Sequence, residues 1–180
     1  DGFTIQGGNA NSTHNLGGGM FNDVSSPSIA NCTFILNTAG SGGGMANFSA
    51  SPSLSNCTFT LNNATDGGGM YNWEGSSPML TNCVFADNFA YWGGGGMYNM
   101  TSSSPNLTNC KFERNIAGIS GGGMFSDSSS PVLTNVTFWS NSAPSGGGVY
   151  NINYSSPKLT NCTFSGNASG GMYSYYYSSP

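Results

Sequence analysis

The chain has 180 residues, a length typical of a single domain. Only 6% of them are charged, and three Lys and Arg against seven Asp and Glu give a net charge of −4. So few basic residues cannot neutralise a phosphate backbone, which argues against nucleic-acid binding, and the absence of an apolar run of about 18 residues argues against a membrane span. Because the chain opens at Asp1 without an initiator Met or a signal peptide, we expect a mature form or a piece of a longer protein.

A repeated unit of about 25 residues accounts for almost the whole chain. Its first element is Gly-Gly followed by an apolar residue, which is Met20, Met45, Met70, Met97, Met124, Val149 and Met172. The intervals between these residues are 25, 25, 27, 27, 25 and 23. A Ser-Pro element follows each of them and ends at Pro27, Pro52, Pro78, Pro105, Pro131, Pro157 and Pro180.

The last element of the unit reads Leu-Thr-Asn-Cys-Thr-Phe, with variants. Its Asn is Asn31, Asn56, Asn82, Asn109, Asn135 and Asn161, and a second Asn follows three residues after each Phe. Strict alternation along a strand would turn Leu54 inward and Phe59 outward, so we predict a left-handed bend at Asn56 and at its equivalents. The opening segment has Gly2 at the same place, and Gly also accepts this conformation.

These elements predict an all-β protein. Gly, Pro and Asn divide each unit into short strand-like pieces, and a period near 25 residues with three short strands is typical of one coil of a β-solenoid. We therefore expect a single domain over residues 1–180 with about seven coils, each rising about 4.8 Å. The repeats are placed at 17–41, 42–66, 67–93, 94–120, 121–145 and 146–168, with partial coils at 1–16 and 169–180.

Residues at equivalent positions should stack in columns inside the solenoid. A cysteine column contains Cys32, Cys57, Cys83, Cys110 and Cys162. Because its spacing equals the repeat, we expect reduced core thiols rather than a disulfide framework or a zinc site. An asparagine column, expected to form a hydrogen-bonded ladder, contains Asn37, Asn62, Asn88, Asn115, Asn141 and Asn167. The Met column is expected to fill the core.

An aromatic column follows the Met column by one residue. Its members are Phe21, Tyr71, Tyr98, Phe125, Tyr150 and Tyr173, with Ala46 in the gap. Alternation places these rings on the surface, where an exposed apolar strip often marks a contact site. The rings could stack on sugars, pack against a neighbouring rod or be covered by a loop of the same chain.

The ionisable residues do not predict an active site. Most acidic residues occupy different repeat positions, and His14 is the one histidine. Asp87 and Arg114 share a position on adjacent coils, which predicts a surface ion pair of little energetic value. Without a nucleophile–base pair or a set of metal ligands, we expect no enzyme activity, no cofactor and no metal.

The paired motifs resemble those of a known family. Gly43-Gly44-Met45 with Phe34-Ile35-Leu36-Asn37 is similar to the GG-apolar and FxxN repeats of polymorphic outer-membrane proteins, and the unit looks like the right-handed parallel β-helix of the pectate-lyase superfold. The opening residues also resemble the start of β-helix regions in large bacterial surface proteins. The resemblance implies a right-handed parallel β-helix, secretion, surface display and adhesion, and hence an extracellular or cell-surface location.

Three functions are compatible with these observations. The first is an extracellular structural solenoid, either a filament subunit that stacks head to tail or the stalk of a surface adhesin, because no polar caps are evident. Its subunit junction would contain Phe3, Ile5, Tyr175, Tyr176 and Tyr177. The second is a carbohydrate-binding module that uses the aromatic column, and the third is a pectate-lyase-like polysaccharide enzyme. Glycans are possible partners, and the repeated Asn-x-Ser/Thr sequences could themselves carry sugar.

Overall fold

A computed structural model describes residues 1–11 and 15–180 of the chain. This part contains 25 short β-strands and no helix. Every strand pairs in parallel with the equivalent strand of a neighbouring turn, so that the chain winds into a solenoid with four sheets along its length. The all-β parallel solenoid predicted from the repeat is confirmed.

The Leu-Thr-Asn-Cys-Thr-Phe element supplies two of these sheets, one on each side of its Asn. The Leu sheet consists of β4 (Ser28–Ala30), β8 (Ser53–Ser55), β12 (Met79–Thr81), β16 (Asn106–Thr108), β20 (Val132–Thr134) and β23 (Lys158–Thr160). The Phe sheet consists of β1 (Thr4–Gln6), β5 (Thr33–Ile35), β9 (Thr58–Thr60), β13 (Val84–Ala86), β17 (Lys111–Glu113), β21 (Thr137–Trp139) and β24 (Thr163–Ser165).

The rest of each turn supplies the other two sheets. The Ala sheet consists of β2 (Asn9–Ala10), β6 (Thr38–Ser41), β10 (Asn63–Asp66), β14 (Phe89–Gly93) and β18 (Ile116–Ala117). The Met sheet consists of β3 (Met20–Asp23), β7 (Met45–Phe48), β11 (Met70–Trp73), β15 (Met97–Met100), β19 (Met124–Asp127), β22 (Val149–Ile152) and β25 (Met172–Ser174).

The bend between the Leu and Phe sheets follows the prediction. Asn56 has a φ of 52°, the other five asparagines at this place have φ of 52–55°, and Gly2 has a φ of 72°. The bend turns Leu54 and Phe59 into the same interior, where both are buried. Asn tolerates this conformation better than most residues, which explains why it recurs at the corner of each turn.

The core is a set of stacked columns. From Phe34 to Phe164 neighbouring Phe rings lie 4.6–4.9 Å apart, with interplanar angles of 2–14°. This separation equals the spacing of hydrogen-bonded strands, so each ring covers the next. The Gly-Gly pair allows the backbones of successive turns to approach equally closely. A Cβ on Gly69 would lie 2.5 Å from the Gly96 carbonyl oxygen, so a side chain at this position would clash.

Two details of the predicted coil are corrected. The chain makes six complete turns, from Ser28 to Ser174, preceded by a partial one, rather than about seven. Each of the first four complete turns has four strands rather than three. The additional strand belongs to the Ala sheet and follows the second Asn of the unit. Its strands bury only an alanine, such as Ala64 or Ala90, and therefore show no apolar alternation in the sequence. Beyond Ala117 this sheet continues only as isolated bridges.

Candidate functional site

The FxxN ladder, defined by the second Asn of each unit from Asn37 to Asn167, is a buried chain of amides. The Nδ2 of each Asn donates to the Oδ1 of the next at 2.9–3.0 Å. Asn88 shows the full pattern: its Nδ2 donates to the Phe59 carbonyl and to Asn115, while its Oδ1 accepts from the backbone N and the Nδ2 of Asn62. With both donors and both lone pairs used, Asn88 and the other interior members of the ladder have no capacity left for a ligand.

A second ladder runs along the Met sheet and is interrupted. This Met-sheet ladder consists of Asn22, Asn47, Asn72, Asn99, Ser126 and Asn151. Up to Asn99, each Nδ2 donates to the next Oδ1 at 2.8 Å. Ser126 is too short to continue the chain, and Asn99 Nδ2, Ser126 Oγ and Asn151 Oδ1 find no hydrogen-bond partner among the described residues.

The cysteine column holds free thiols in the core. Cys32, Cys57, Cys83 and Cys110 are buried and Cys162 is half-buried. A hydrogen bond with the Cys83 thiol, together with burial, raises the pKa of Cys57, and similar contacts raise the pKa of Cys83 to about 12. Because the thiolate is the reactive form, the raised pKa values keep these two side chains as neutral thiols at neutral pH.

The aromatic column lies on the outer side of the Met sheet, and its middle members are half-buried rather than exposed. These members are Tyr71, Tyr98, Phe125 and Tyr150. From Tyr71 to Tyr173 neighbouring ring centroids lie 4.5–5.5 Å apart, with interplanar angles of 13–33°. The rings therefore lie on the outer side, as alternation predicts, but the middle of the column is less exposed than predicted because each ring face is covered by the next ring. Phe21 and Tyr173, at its two ends, are exposed.

The five residues predicted for a subunit junction lie at opposite ends of the solenoid. Phe3 is exposed and Ile5 half-buried in the first strand of the Phe sheet, and Tyr175, Tyr176 and Tyr177 are exposed beyond the last strand of the Met sheet. The tyrosines follow the last turn, six turns away from Phe3 and Ile5. A junction that contains both groups stays a prediction about two copies.

The predicted surface ion pair is confirmed. Arg114 donates to both carboxylate oxygens of Asp87 at 2.8 Å, and it also contacts Glu113 at 3.3 Å. Within residues 1–11 and 15–180, no group of three or more His, Cys, Asp and Glu side chains is placed to hold a metal ion. His14 lies outside the described residues. The described part of the chain contains no helix that could cross a membrane.

A cleft beside the Ala sheet was not anticipated from the sequence. Two consecutive 27-residue turns add one residue between the Asn of the FxxN ladder and the Gly-Gly pair, which produces a register shift between β10 and β14. The added residues bring Trp92 and Ile119, both exposed, to the rim of a cavity of about 190 Å³. The 27-residue intervals are the sequence signal that could have located it.

Gly93 opens the base of this cleft. It aligns with Asp66 on one side and with Ser120 on the other, in a column of side chains next to the aromatic column. A Cβ on Gly93 would lie 3.1 Å from Phe125 Cδ2 and 3.2 Å from Tyr98 Cε2. The missing side chain thus exposes the edges of two stacked rings between a carboxylate and a hydroxyl group.

Asp66 gives the cleft its charge. Burial raises the pKa of this carboxyl to about 6, although a hydrogen bond with the Gly93 backbone opposes the shift. Burial and the negative charge of Asp66 together raise the pKa of the Tyr71 hydroxyl to about 12. Among the described residues the side-chain ion pairs all involve Arg114, so the Asp66 charge has no cationic partner there.

A larger open groove, of about 340 Å³, lies over the Leu sheet. Short side chains such as Ser28, Ser53 and Ser55 line it, and Asp1 is its one charged residue. Ligand sites usually combine apolar walls with a few convergent polar groups. The smaller cleft meets this description better and is therefore the candidate site.

Comparison with known proteins identifies the fold family. The model of the family described as right-handed β-helix region matches residues 79–180, more than half of the chain. No curated protein and no solved structure matches the chain. The matched segment contains four of the six complete turns of the solenoid and most of the cleft. With its parallel sheets, stacked columns and family match, the chain belongs to the right-handed β-helix family.

Proposed function

We propose that the protein is an extracellular structural β-solenoid, used as a filament subunit or as the stalk of a surface adhesin. The supporting observation is that its regular columns continue to both end turns without a cover. Phe85, Met97 and Leu107 are buried in the middle turns, whereas their equivalents at the two ends, Ile5, Met172 and Leu159, are half-buried. Each end also presents strands with one unpaired edge. A further turn in the same register would bury the half-buried side chains and pair the free strand edges.

That further turn could come from flanking chain or from a second copy. Flanking chain corresponds to an adhesin stalk, and a second copy corresponds to a filament, because a head-to-tail contact that does not close generates a fibre. In both cases the function is mechanical. Parallel hydrogen bonds and the FxxN ladder run along the same axis, which makes the rod stiff.

The resemblance to polymorphic outer-membrane repeats supports a surface location. The GG-apolar motif allows close approach of successive turns, and the FxxN motif supplies the Phe stack and the ladder. A relationship to that family, with export and surface display, is part of the proposal. Carbohydrate binding on the aromatic column has weaker support, since sugars stack on ring faces and these faces cover one another from Tyr71 to Tyr173.

Electron microscopy of the 180-residue chain under native conditions tests the filament form. Head-to-tail stacking should give rods with an axial repeat of roughly 30 Å, six to seven turns at strand spacing. Ile5→Lys places a charge in the interior column of the first turn and should abolish the rods, because an inward-pointing charge blocks edge association. Thr4→Lys, on the exposed side of the same strand, is the matched control and should leave them intact.

Each outcome separates the two forms. Rods that disappear only in Ile5→Lys support a filament subunit. Monodisperse particles of monomer mass in all three proteins contradict self-association and favour the stalk. A soluble monomer with sugar-cleaving activity on acidic polysaccharides would overturn the structural proposal in favour of the enzyme.

A further inference from the structure

The cleft beside Asp66 is the main departure of the lateral surface from the repeat. In the regular turns a serine such as Ser41 or Ser145 occupies the position of Gly93. Gly93 lacks a side chain at this position, and the two 27-residue turns add residues beside it. These two features create a recess in the outer surface beside the Ala sheet.

The recess is largely apolar and contains one charge. The indole of Trp92 and the side chain of Ile119 border it, and the edges of Tyr98 and Phe125 form its inner surface. A ring edge carries partial positive charge, whereas a ring face carries partial negative charge. The exposed edges of these two rings therefore attract a cation less than exposed ring faces would. Recognition of charge in this cleft therefore falls to the Asp66 carboxylate.

The chemistry of this lining restricts the ligand. A Ca²⁺ ion needs six to eight oxygen ligands, and Asp66 offers two. A sugar needs partners for several hydroxyl groups, while the lining offers, besides Asp66, only the hydroxyls of Ser120 and Tyr98 and the indole N–H of Trp92. A cavity of about 190 Å³ is also smaller than most ligand pockets, which measure roughly 300–1,000 Å³. A small cation with an apolar body satisfies all of these limits.

We propose that the cleft binds a primary ammonium group on a short alkyl chain, with the ammonium paired to Asp66 and the methylenes against Trp92 and Ile119. A free alkylamine and a lysine side chain carry the same chemistry. The ammonium supplies the counter-charge that the described residues do not provide, and the methylenes remove apolar surface from water. This proposal is independent of filament or stalk function.

A titration with n-butylammonium chloride at pH 7.5 tests the proposal. The readout is the indole N–H resonance of Trp92 in the ¹⁵N-labelled chain, assigned by its loss in Trp92→Phe. Saturable shifts are expected with n-butylammonium. The neutral analogue n-butanol should bind on the order of tenfold more weakly, the factor that corresponds to one lost charge-assisted hydrogen bond. Sodium chloride at the same concentration corrects for ionic strength.

Two variants and a matched control locate the binding site. Asp66→Asn should weaken binding of n-butylammonium on the order of tenfold, while Asp23→Asn, an exposed residue of the Met sheet, changes the net charge equally and should bind as the unchanged protein does. Gly93→Ser should also reduce binding because its side chain fills the recess. Thermal unfolding of each variant shows whether the fold is kept.

The outcomes decide both the proposal and the source of the amine. If N-acetyl-lysine-N-methylamide binds at least as well as n-butylammonium, a lysine side chain of a polypeptide is the ligand; if only the free amine binds, the ligand is a small molecule. Equal affinity for n-butanol and n-butylammonium overturns the proposal. So does unchanged affinity in a folded Asp66→Asn.

Discussion

The FxxN ladder keeps the repeat at every complete turn, whereas the Met-sheet ladder loses it at Ser126. In the first, Asn88 makes four hydrogen bonds and leaves no buried amide unpaired. In the second, one shorter side chain leaves Asn99 and Asn151, on either side, each with an unpaired buried atom. A stacked amide satisfies the hydrogen-bonding groups of the amides above and below it as well as its own. A single substitution in the column therefore affects its own turn and the two neighbouring turns.

The lateral surface shows the same difference. At most turns a serine such as Ser41 or Ser145 occupies the column beside the aromatic rings, and the column carries no charge there. Where Asp66 and Gly93 replace them in consecutive turns, a carboxylate is half-buried next to a recess. Departures from the repeat thus leave unpaired groups in the interior and binding capacity at the surface.

Breaking the intact ladder should have the largest effect. Asn88→Ala removes four side-chain hydrogen bonds and leaves the buried backbone N–H of Asn62 without its acceptor, at about 1–3 kcal/mol for an unsatisfied buried group. We expect the free energy of unfolding in urea to fall by about 3–5 kcal/mol. Asn63→Ala, at an exposed position nearby, is the control and should change it by less than about 1 kcal/mol. Equal loss in the two variants would contradict the role given to the ladder.

Repairing the interrupted ladder should have a smaller effect of opposite sign. Ser126→Asn gives Asn99 Nδ2 an acceptor and Asn151 Oδ1 a donor, in a register that already accommodates Asn on both sides. We expect urea denaturation to show a gain of about 2 kcal/mol. Ser126→Ala removes the unpaired hydroxyl but adds no bond, and it should be the less stable of the two. The reverse order would show that the column has no room for the amide.

Titrating Asp66 should have the smallest effect. Its pKa is raised to about 6 in the folded protein, against about 3.9 in an unfolded chain. Between these values the folded state binds more protons, so stability should rise as the pH falls from 7 to 4. Allowing for solvent screening of a half-buried group, we expect a contribution of about 1 kcal/mol.

Comparison with Asp66→Asn isolates this contribution from that of the other carboxyl groups. Urea unfolding of both proteins at pH 4, 5, 6 and 7 should show that the difference between them changes over this range. A constant difference would mean that Asp66 keeps its ordinary pKa in the folded protein. The charge of the cleft would then be better solvated than its position indicates.

Much of the fold was predictable because the repeat shows which residues occupy equivalent positions in successive turns. The corner at Asn56 follows from the need to bury both Leu54 and Phe59, and the structure has it with a φ of 52°. The ion pair of Asp87 and Arg114 follows from their equal position on adjacent turns. The Ala sheet was missed because its strands bury a single small residue and leave no pattern of alternation.

The sequence by itself determined the period, the interior columns and the parallel stacking, because equivalent residues one turn apart must lie at strand spacing. Only the tertiary structure decided how the outer residues lie. The aromatic rings are half-buried because successive rings stack on each other, which alternation along one strand does not reveal. The cleft likewise depends on Asp66, Trp92, Gly93 and Ile119, which belong to three different turns. Their proximity arises from the rise and register of the solenoid, and no single unit contains it.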